Sequence, residues 1–442
     1  MLMKRFLLSR TTILTLFAFI LSVIVLSYFV PQRMGVPSFA LRKWREAHGP
    51  LLPAVDLLGL HHIFTTPWFA VLLAFFLISL SLSTYQQYRL AKDRTFRVLP
   101  FPDEGWVTLP GTAAEPAVIL RKFGYVRIGS QGEVSRHVKH PWGYWGNFLL
   151  HVGIVLVVAS SLIILVTQHR GVLNLERGET VYPGTPWAAE ENGLLAGKFV
   201  LPAAVRLESH DPVFWDNGET KLIESTVAFL SPGRAEERAT IGINQPAWLG
   251  GVKIYQSHRF GSDFYAEFTD SGGKKVVLIL PLPIPPRLDQ AGYGDFQFNV
   301  MSYQVKAKYY ADAARKDMMS GNPLLVLRLY DRAELLGELP LRIGESGVLG
   351  NYRVQLVKVV PWNGLIFVSM SGMPGIFFGF FVVVCGCFLN YFAVPREVWL
   401  REGPQAAVFW RAARFHEFYR DEHDELVAAL GVVSELSESR QV

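Results

Sequence analysis

Cysteine is nearly missing from this chain of 442 residues: only Cys385 and Cys387 carry a thiol. Both lie in one apolar run with a single residue between them, so no CxxC pair, disulfide framework or cysteine zinc set can be built. Thioredoxin-type redox chemistry is excluded with them. Excess charge is also scarce. The 43 Lys and Arg against 38 Asp and Glu leave +5, and no basic stripe interleaved with aromatics runs along any segment, which argues against a nucleic-acid partner. No nucleophilic triad, phosphate-cradling glycine loop or paired-carboxylate motif stands out, so hydrolase and nucleotide-driven transporter classes fall away.

What the chain has in quantity is apolar length. Half of its residues are hydrophobic, too many and too unevenly placed for an ordinary soluble protein. The pattern predicts an α-helical membrane protein with four transmembrane helices and a large external, mainly antiparallel β domain inserted between the third and fourth helices. A bilayer core about 30 Å thick needs roughly 20 apolar residues. Residues 1–30 supply Lys4, Arg5 and Arg10 and then a run from Thr11 to Val30 that is too long for a signal peptide, so we read an uncleaved first span. Residues 31–66 form a short external loop whose LLPAVDLLGLHHIF part suits an amphipathic surface helix. Residues 67–85 are the second span, 86–145 a cytoplasmic loop, 146–167 the third span, 168–371 the external domain, 372–394 the fourth span and 395–442 a cytoplasmic tail. Nine basic residues between Arg89 and Lys139 outnumber those of the first external loop and set this orientation.

The third span holds one ionisable residue, His151, near its cytoplasmic end. An imidazole in hydrocarbon is costly enough to ask for a reason. It shares a helical face with Asn147, Ile154, Val155, Val158 and Leu162. Two readings stand side by side: a neutral ring bonded to a neighbouring helix as packing glue, or a ligand or proton relay.

Between the third and fourth spans, ESTVAFL, KKVVLILPL, FQFNVMSYQV and PLLVLRLYD are rich in β-branched and aromatic residues and are separated by Gly, Pro, Asn and Asp. Tyr309–Met319 reads as a short helix, and Pro281–Pro286 as loop or sheet edge. In the last span Gly375, Gly379 and Gly386 form a small-residue face for helix packing. In the tail, EFYRDEHDELVAAL reads as a soluble amphipathic helix before a frayed end.

The order of these parts, with TPWFAVLLAFFLISLSLS, GNFLLHVGIVLVVASSL, GVLNLERGE, NQPAWLGGVKIYQSHRFG, NPLLVLRLYD and MPGIFFGFF, resembles the ResB family of cytochrome c biogenesis proteins, partners of ResC (CcsA) in System II. The resemblance covers nearly the whole chain. It implies a multi-pass protein of the bacterial inner membrane with a periplasmic domain. With a ResC/CcsA-type partner, such a protein exports haem b and supports its thioether attachment to apocytochrome c. At most it is part of a two-subunit holocytochrome c synthase, not active alone. The resemblance also implies that His151 is a haem axial ligand, with the second ligand from the partner. The alternative is a membrane-anchored scaffold that binds apocytochrome or partner subunits without touching haem. His61 and His62 before the second span, and His169 after the third, are further candidates for a metal or haem site, or else interfacial anchors. His137 and His140, flanking Lys139, either receive haem propionates electrostatically or form a basic juxtamembrane segment. One departure from the family pattern is Met373, where an acidic residue is expected before Pro374 and Gly375.

Overall fold

The computed structural model describes residues 6–36, 38–97, 100, 103–110, 115–233, 235–332, 334–403 and 405–431. Four helices are long and apolar enough to cross a bilayer: Arg10–Phe29 (α1), Pro67–Phe96 (α2), Gly146–Thr167 (α3) and Met373–Phe392 (α4). Only 6% to 28% of the residues in their apolar windows are buried. Side chains such as Phe17, Phe75, Ile163 and Phe381 stay exposed, a surface that suits an apolar solvent and not water. Helix α2 continues past Tyr85, the expected end of the second span, through a polar stretch of good helix formers closed by an Asp93–Arg97 pair.

The chain divides into two compact units. The first comprises Met1–Ser22, Ala70–Ile164 and Gly372–Val442. Its helices α3 and α4 touch backbone to backbone. A Cβ on Gly153 would lie 2.7 Å from the Gly379 carbonyl oxygen, and one on Gly379 would lie 2.9 Å from that of Gly153. A Cβ on Gly386 would lie 2.6 Å from the Leu150 nitrogen, and one on Gly372 2.5 Å from the Ser160 carbonyl oxygen. Gly146, Gly153 and Ser160 thus meet Gly386, Gly379 and Gly372 in reverse order. Each set recurs every seventh residue, the interval that returns a helix to nearly the same face.

Beneath these helices in sequence order, the expected loop and tail close into one antiparallel sheet. Val107–Thr108 (β1), Val126–Gln131 (β2), Val134–Lys139 (β3), Arg396–Arg401 (β19) and Ala407–Ala412 (β20) are ordered β1-β20-β19-β3-β2. Leu120, Tyr125, Val398, Leu400 and Trp410 form its core, with Leu426 of the helix Arg420–Ala429 (α5) packed on it. That helix was expected in the tail; the strands were not. The frayed end expected beyond it falls on residues 432–442, outside the described residues. Arg136 of β3 and Glu397 of β19 are 0% and 2% exposed and pair at 3.0 Å. The second nitrogen of Arg136 donates to the carbonyls of Arg94 and Arg97, 2.8 Å from each, at the end of α2. The Tyr144 hydroxyl and Arg411 donate to the Glu397 carboxylate. Each charged group in this cluster therefore has a partner, and the Nε of Arg136 is the atom left buried without one.

The second unit comprises Val23–Phe69 and Leu165–Ser371. Two long strands, Val252–Thr269 (β11) and Tyr352–Ser369 (β18), pair antiparallel and carry His169–Glu176 (β4), Ala189–Asn192 (β6), Ala247–Leu249 (β10), Lys275–Pro283 (β12) and Ser346–Leu349 (β17) in one seven-stranded sheet. One end of that pair packs on Thr180–Val181 (β5), Ala204–Phe214 (β7), Thr220–Leu230 (β8) and Glu237–Gly242 (β9), through Ile254, Leu365, Phe367, Leu207, Val227 and Phe229. The other end packs on Gly292–Gln297 (β13), Gln304–Tyr310 (β14), Leu324–Asp331 (β15) and Glu334–Leu341 (β16), through Phe264, Phe268, Leu356, Tyr309, Leu325 and Leu327. Two β-sandwiches thus share one pair of strands.

Between the two cores β11 bulges: Ser257 to Arg259 face Gly364 alone, because the register passes from Gln256↔Leu365 to Phe260↔Asn363. A Cβ on Gly364 would lie 2.7 Å from the Arg259 carbonyl oxygen. The side chains there satisfy one another: Gln256 donates to Asn363 and to the Ser257 carbonyl, 2.7 Å each, and Asn363 donates to Ser225 at 2.9 Å. The preceding hairpin turns on Gly250 and Gly251, φ +54° and +84°, joining Leu249 to Val252 as a two-residue loop.

Two local expectations change, and a third, Pro281–Pro286 as loop or sheet edge, holds. Tyr309–Met319 is not a helix: Tyr309 is buried at the end of β14, and the Asp312 carboxylate accepts from the backbone of Ala314 and Lys316, holding a turn in place of a helical ladder. LLPAVDLLGLHHIF is not one helix but two short turns, Leu52–Leu57 and Leu60–Thr65, broken at Gly59 with φ +62°. Of Pro281–Pro286, the first three residues end β12, which pairs with β11 alone.

Two outcomes test this packing. Gly153→Leu drives α3 from α4 and costs about 1–3 kcal/mol of overpacking strain, read as a lowered melting temperature in detergent. Arg136→Met leaves Glu397 short of its buried partner and costs about 3–5 kcal/mol. Arg136→Met with Glu397→Leu melts higher than the sum of the two single losses, and additive losses would deny the coupling.

Candidate functional site

His151 lies one turn into α3, half-buried, with Nδ1 2.8 Å from the carbonyl oxygen of Asn147. A carbonyl only accepts, so Nδ1 carries a proton, and in the neutral ring Nε2 keeps its lone pair. Among the described residues Nε2 has no hydrogen-bond partner. The ring is bonded within its own helix, not to a neighbouring one. At 3.6 residues per turn it sits about 140° round α3 from Gly146 and hence from the α4 contact. Tyr88 of α2 packs on Trp145 and Phe148, ring centroids 6.0 and 5.6 Å apart. The face between carries exposed Ile154 and half-buried Val155, Val158 and Leu162.

Asn147 joins the imidazole to a polar end of the helix pair. Asn390 of α4 donates to the Asn147 side chain at 3.3 Å, and Arg414 donates to Asn390 at 2.8 Å. These three line a cavity of about 50 Å³ with Gln87, Arg94 and Tyr144. No carboxylate lines it. Asn390, Arg94 and Arg414 carry no motif, and only the fold brings them together.

The other candidate histidines lie in the second unit, where the Thr65 hydroxyl, in the turn that carries His61 and His62, donates at 3.0 Å to Glu191 of β6, the strand that pairs with His169. His61 is buried, with Nδ1 2.9 Å from the Pro31 carbonyl. Arg33 N–H donates to its own carbonyl and Gln32 to that of Leu60, so the residue staples the segment after α1 to the turn before α2. His62, beside it, is exposed. His169 donates from Nδ1 to Asn192 at 2.9 Å and stacks on Phe199 at 5.1 Å. These three belong to the second unit and His151 to the first. Among the described residues no three His, Cys, Asp or Glu gather as a metal site.

His137 is buried in β3, where desolvation, then Arg127, pushes its pKa down to about 4. His140 is lowered by burial too, and Lys139 pairs with Glu422 at 3.0 Å. Burial thus disfavours a positive charge on both rings, and the Lys139 ammonium already has a carboxylate partner. His258 is exposed in the β11 bulge, and Met373 opens α4 with no acidic residue in its first turn.

Four helices of bilayer length and paired β-sandwiches define a helix-anchored β protein. Residues 9–317 match the model of the ResB-like family, and the chain belongs to that family. It is 25% identical over 396 residues to the cytochrome c biogenesis protein CcsB of Synechococcus sp. (strain JA-3-3Ab), covering 81% of this chain and 76% of that one. The CcsB of Thermosynechococcus vestitus is 25% identical over 360 residues (77% and 75%), and that of Trichormus variabilis 22% over 400 (88% and 83%).

The lowered pKa of His137 sets a pH dependence. The ring is neutral in the fold but takes up a proton in the unfolded chain below its ordinary 6.5. Stability is therefore lost as pH falls from about 6.5 toward 4, by up to about 3 kcal/mol. In His137→Leu, melting temperatures decline less over that interval than in the native chain; parallel declines would contradict the assignment.

Proposed function

We propose that this chain is the haem-handling subunit of a membrane cytochrome c synthase. With a ResC/CcsA-type multi-span partner it carries haem b across the bacterial inner membrane and supports its attachment to apocytochrome c. The names of its relatives support the pathway, and the observation that carries the site is the tautomer of His151. A neutral imidazole whose Nδ1–H is bonded to a backbone carbonyl offers Nε2 to iron, the arrangement that protein ligands of haem use. Haem is the cargo, and iron would take one axial ligand from this chain and the other from the partner. His61 and His169 serve the fold in this reading, and His62 stays solvent-facing.

The topology that goes with it has both termini in the cytoplasm and residues 168–371 in the periplasm. Pairing of β3 with β19 supports a common side for the segments they belong to, and the arginines and lysines of residues 86–145 support the cytoplasm as that side.

Co-expression with a ResC/CcsA-type partner, purification, and oxidised and reduced spectra test this. His151→Ala is expected to remove the low-spin haem bands and holocytochrome formation while the protein remains in the membrane at native abundance. Unchanged haem content, with assembly lost only on changes in residues 168–371, would identify a scaffold that never touches haem.

A further inference from the structure

The cavity beside Asn147 has a chemical preference of its own. We propose that it is a carboxylate site, and that its ligand is one propionate of the porphyrin whose iron His151 takes, a step that rests on the haem reading above.

Four features point that way. Two guanidinium groups, Arg94 from α2 and Arg414 from the segment after β20, line the space with no acid among them. Neither has a carboxylate partner among the described residues, whereas the neighbouring Arg136, Arg396 and Arg411 are all ion-paired. Glu397, which accepts from the Tyr144 hydroxyl at the lining, is buried and held by two of those arginines, and Asp93, which precedes Arg94, pairs with Arg97. Finally, the start of α3 contributes Asn147 and the positive end of a 22-residue helix.

The volume, about 50 Å³, holds about three to five waters at about 10–15 Å³ each, or one carboxylate, but not a porphyrin ring. The ring must lie outside, along the face of α3 that α4 and Tyr88 leave open. His151 is on that face, four residues or about 6 Å along the axis from Asn147. A propionate seated between Arg94 and Arg414 therefore tethers the macrocycle at its edge while Nε2 addresses its centre. Such a tether fixes the angle of the ring before the partner supplies a second ligand. Asn390 holds Arg414 through its side-chain oxygen and so positions it.

The full chain in phosphatidylcholine nanodiscs, titrated with fluorescent protoporphyrin IX and with its dimethyl ester, tests this without iron. The diacid is expected to bind about tenfold or more tighter than the diester, as charge-assisted hydrogen bonds require. Arg94→Gln with Arg414→Gln abolishes the preference and leaves diester binding intact, which also reports that the protein is folded. Arg94→Lys with Arg414→Lys keeps it. Equal binding of diacid and diester to the native chain, survival of the preference in the glutamine pair, or its loss in the lysine pair each overturns the proposal. So does phosphatidylglycerol that erases the preference and co-purifies only when both arginines are present, which would mark a lipid phosphate site. His151→Ala keeps the preference here, so a failure of the iron-ligand reading shows only in haem spectra and is distinguishable from a failure of the carboxylate site.

Discussion

The contact of bare backbone at Gly153 and Gly379 is the constraint from which the rest of the first unit follows. Apolar helices in an apolar solvent gain little from burying more apolar surface, so their association depends on close packing and on polar groups that meet across the seam. Small residues at every seventh position, five glycines and Ser160, give the first. The second is supplied by Asn147 and Asn390, brought within 3.3 Å. Once that seam is set, the helical repeat leaves His151 on a different face, because no residue five positions from Gly146 can share its side. The seam thus hides the small residues and presents the imidazole.

At the polar end of the helices, the Arg136–Glu397 cluster ties secondary structures that are far apart in sequence. An ion pair taken wholly out of water adds little net stability, since the desolvation penalty offsets much of the attraction. Its value is geometric. Arg136 closes the end of α2 by bonding the carbonyls of Arg94 and of Arg97 just beyond it, sets β3 against β19, and through Glu397 holds Tyr144 just before α3 begins. The three helices around the cavity are thereby referenced to one sheet, and Arg94 and Arg414 arrive at the same space from opposite ends of the chain.

Much of this was legible in residue order. The apolar runs mark the four helices, His151 stands out as their one interior imidazole, and the alternation of ESTVAFL and KKVVLILPL marks strands. Gly250 and Gly251 announce a hairpin. The inner sheet was not legible, because Val134–Lys139 and Arg396–Arg401 are short, charged and more than 250 residues apart, and nothing local reveals that they pair. Tyr309–Met319 misled because alanine and lysine favour a helix while Asp312, one residue, bends the backbone the other way. The cavity arginines look like any basic juxtamembrane residues until the tail folds back beside α2. Membership of the ResB-like family was carried by the order of parts, which survives sequence divergence better than any single motif.

The account stands on which nitrogen of His151 is bare. Solid-state ¹⁵N NMR of the chain labelled at histidine, haem-free and in lipid, reads this directly, with His151→Ala supplying the assignment. A proton on Nδ1 and an unprotonated Nε2 is the predicted result. A proton on Nε2 would turn the lone pair toward the Asn147 carbonyl and leave no nitrogen for iron.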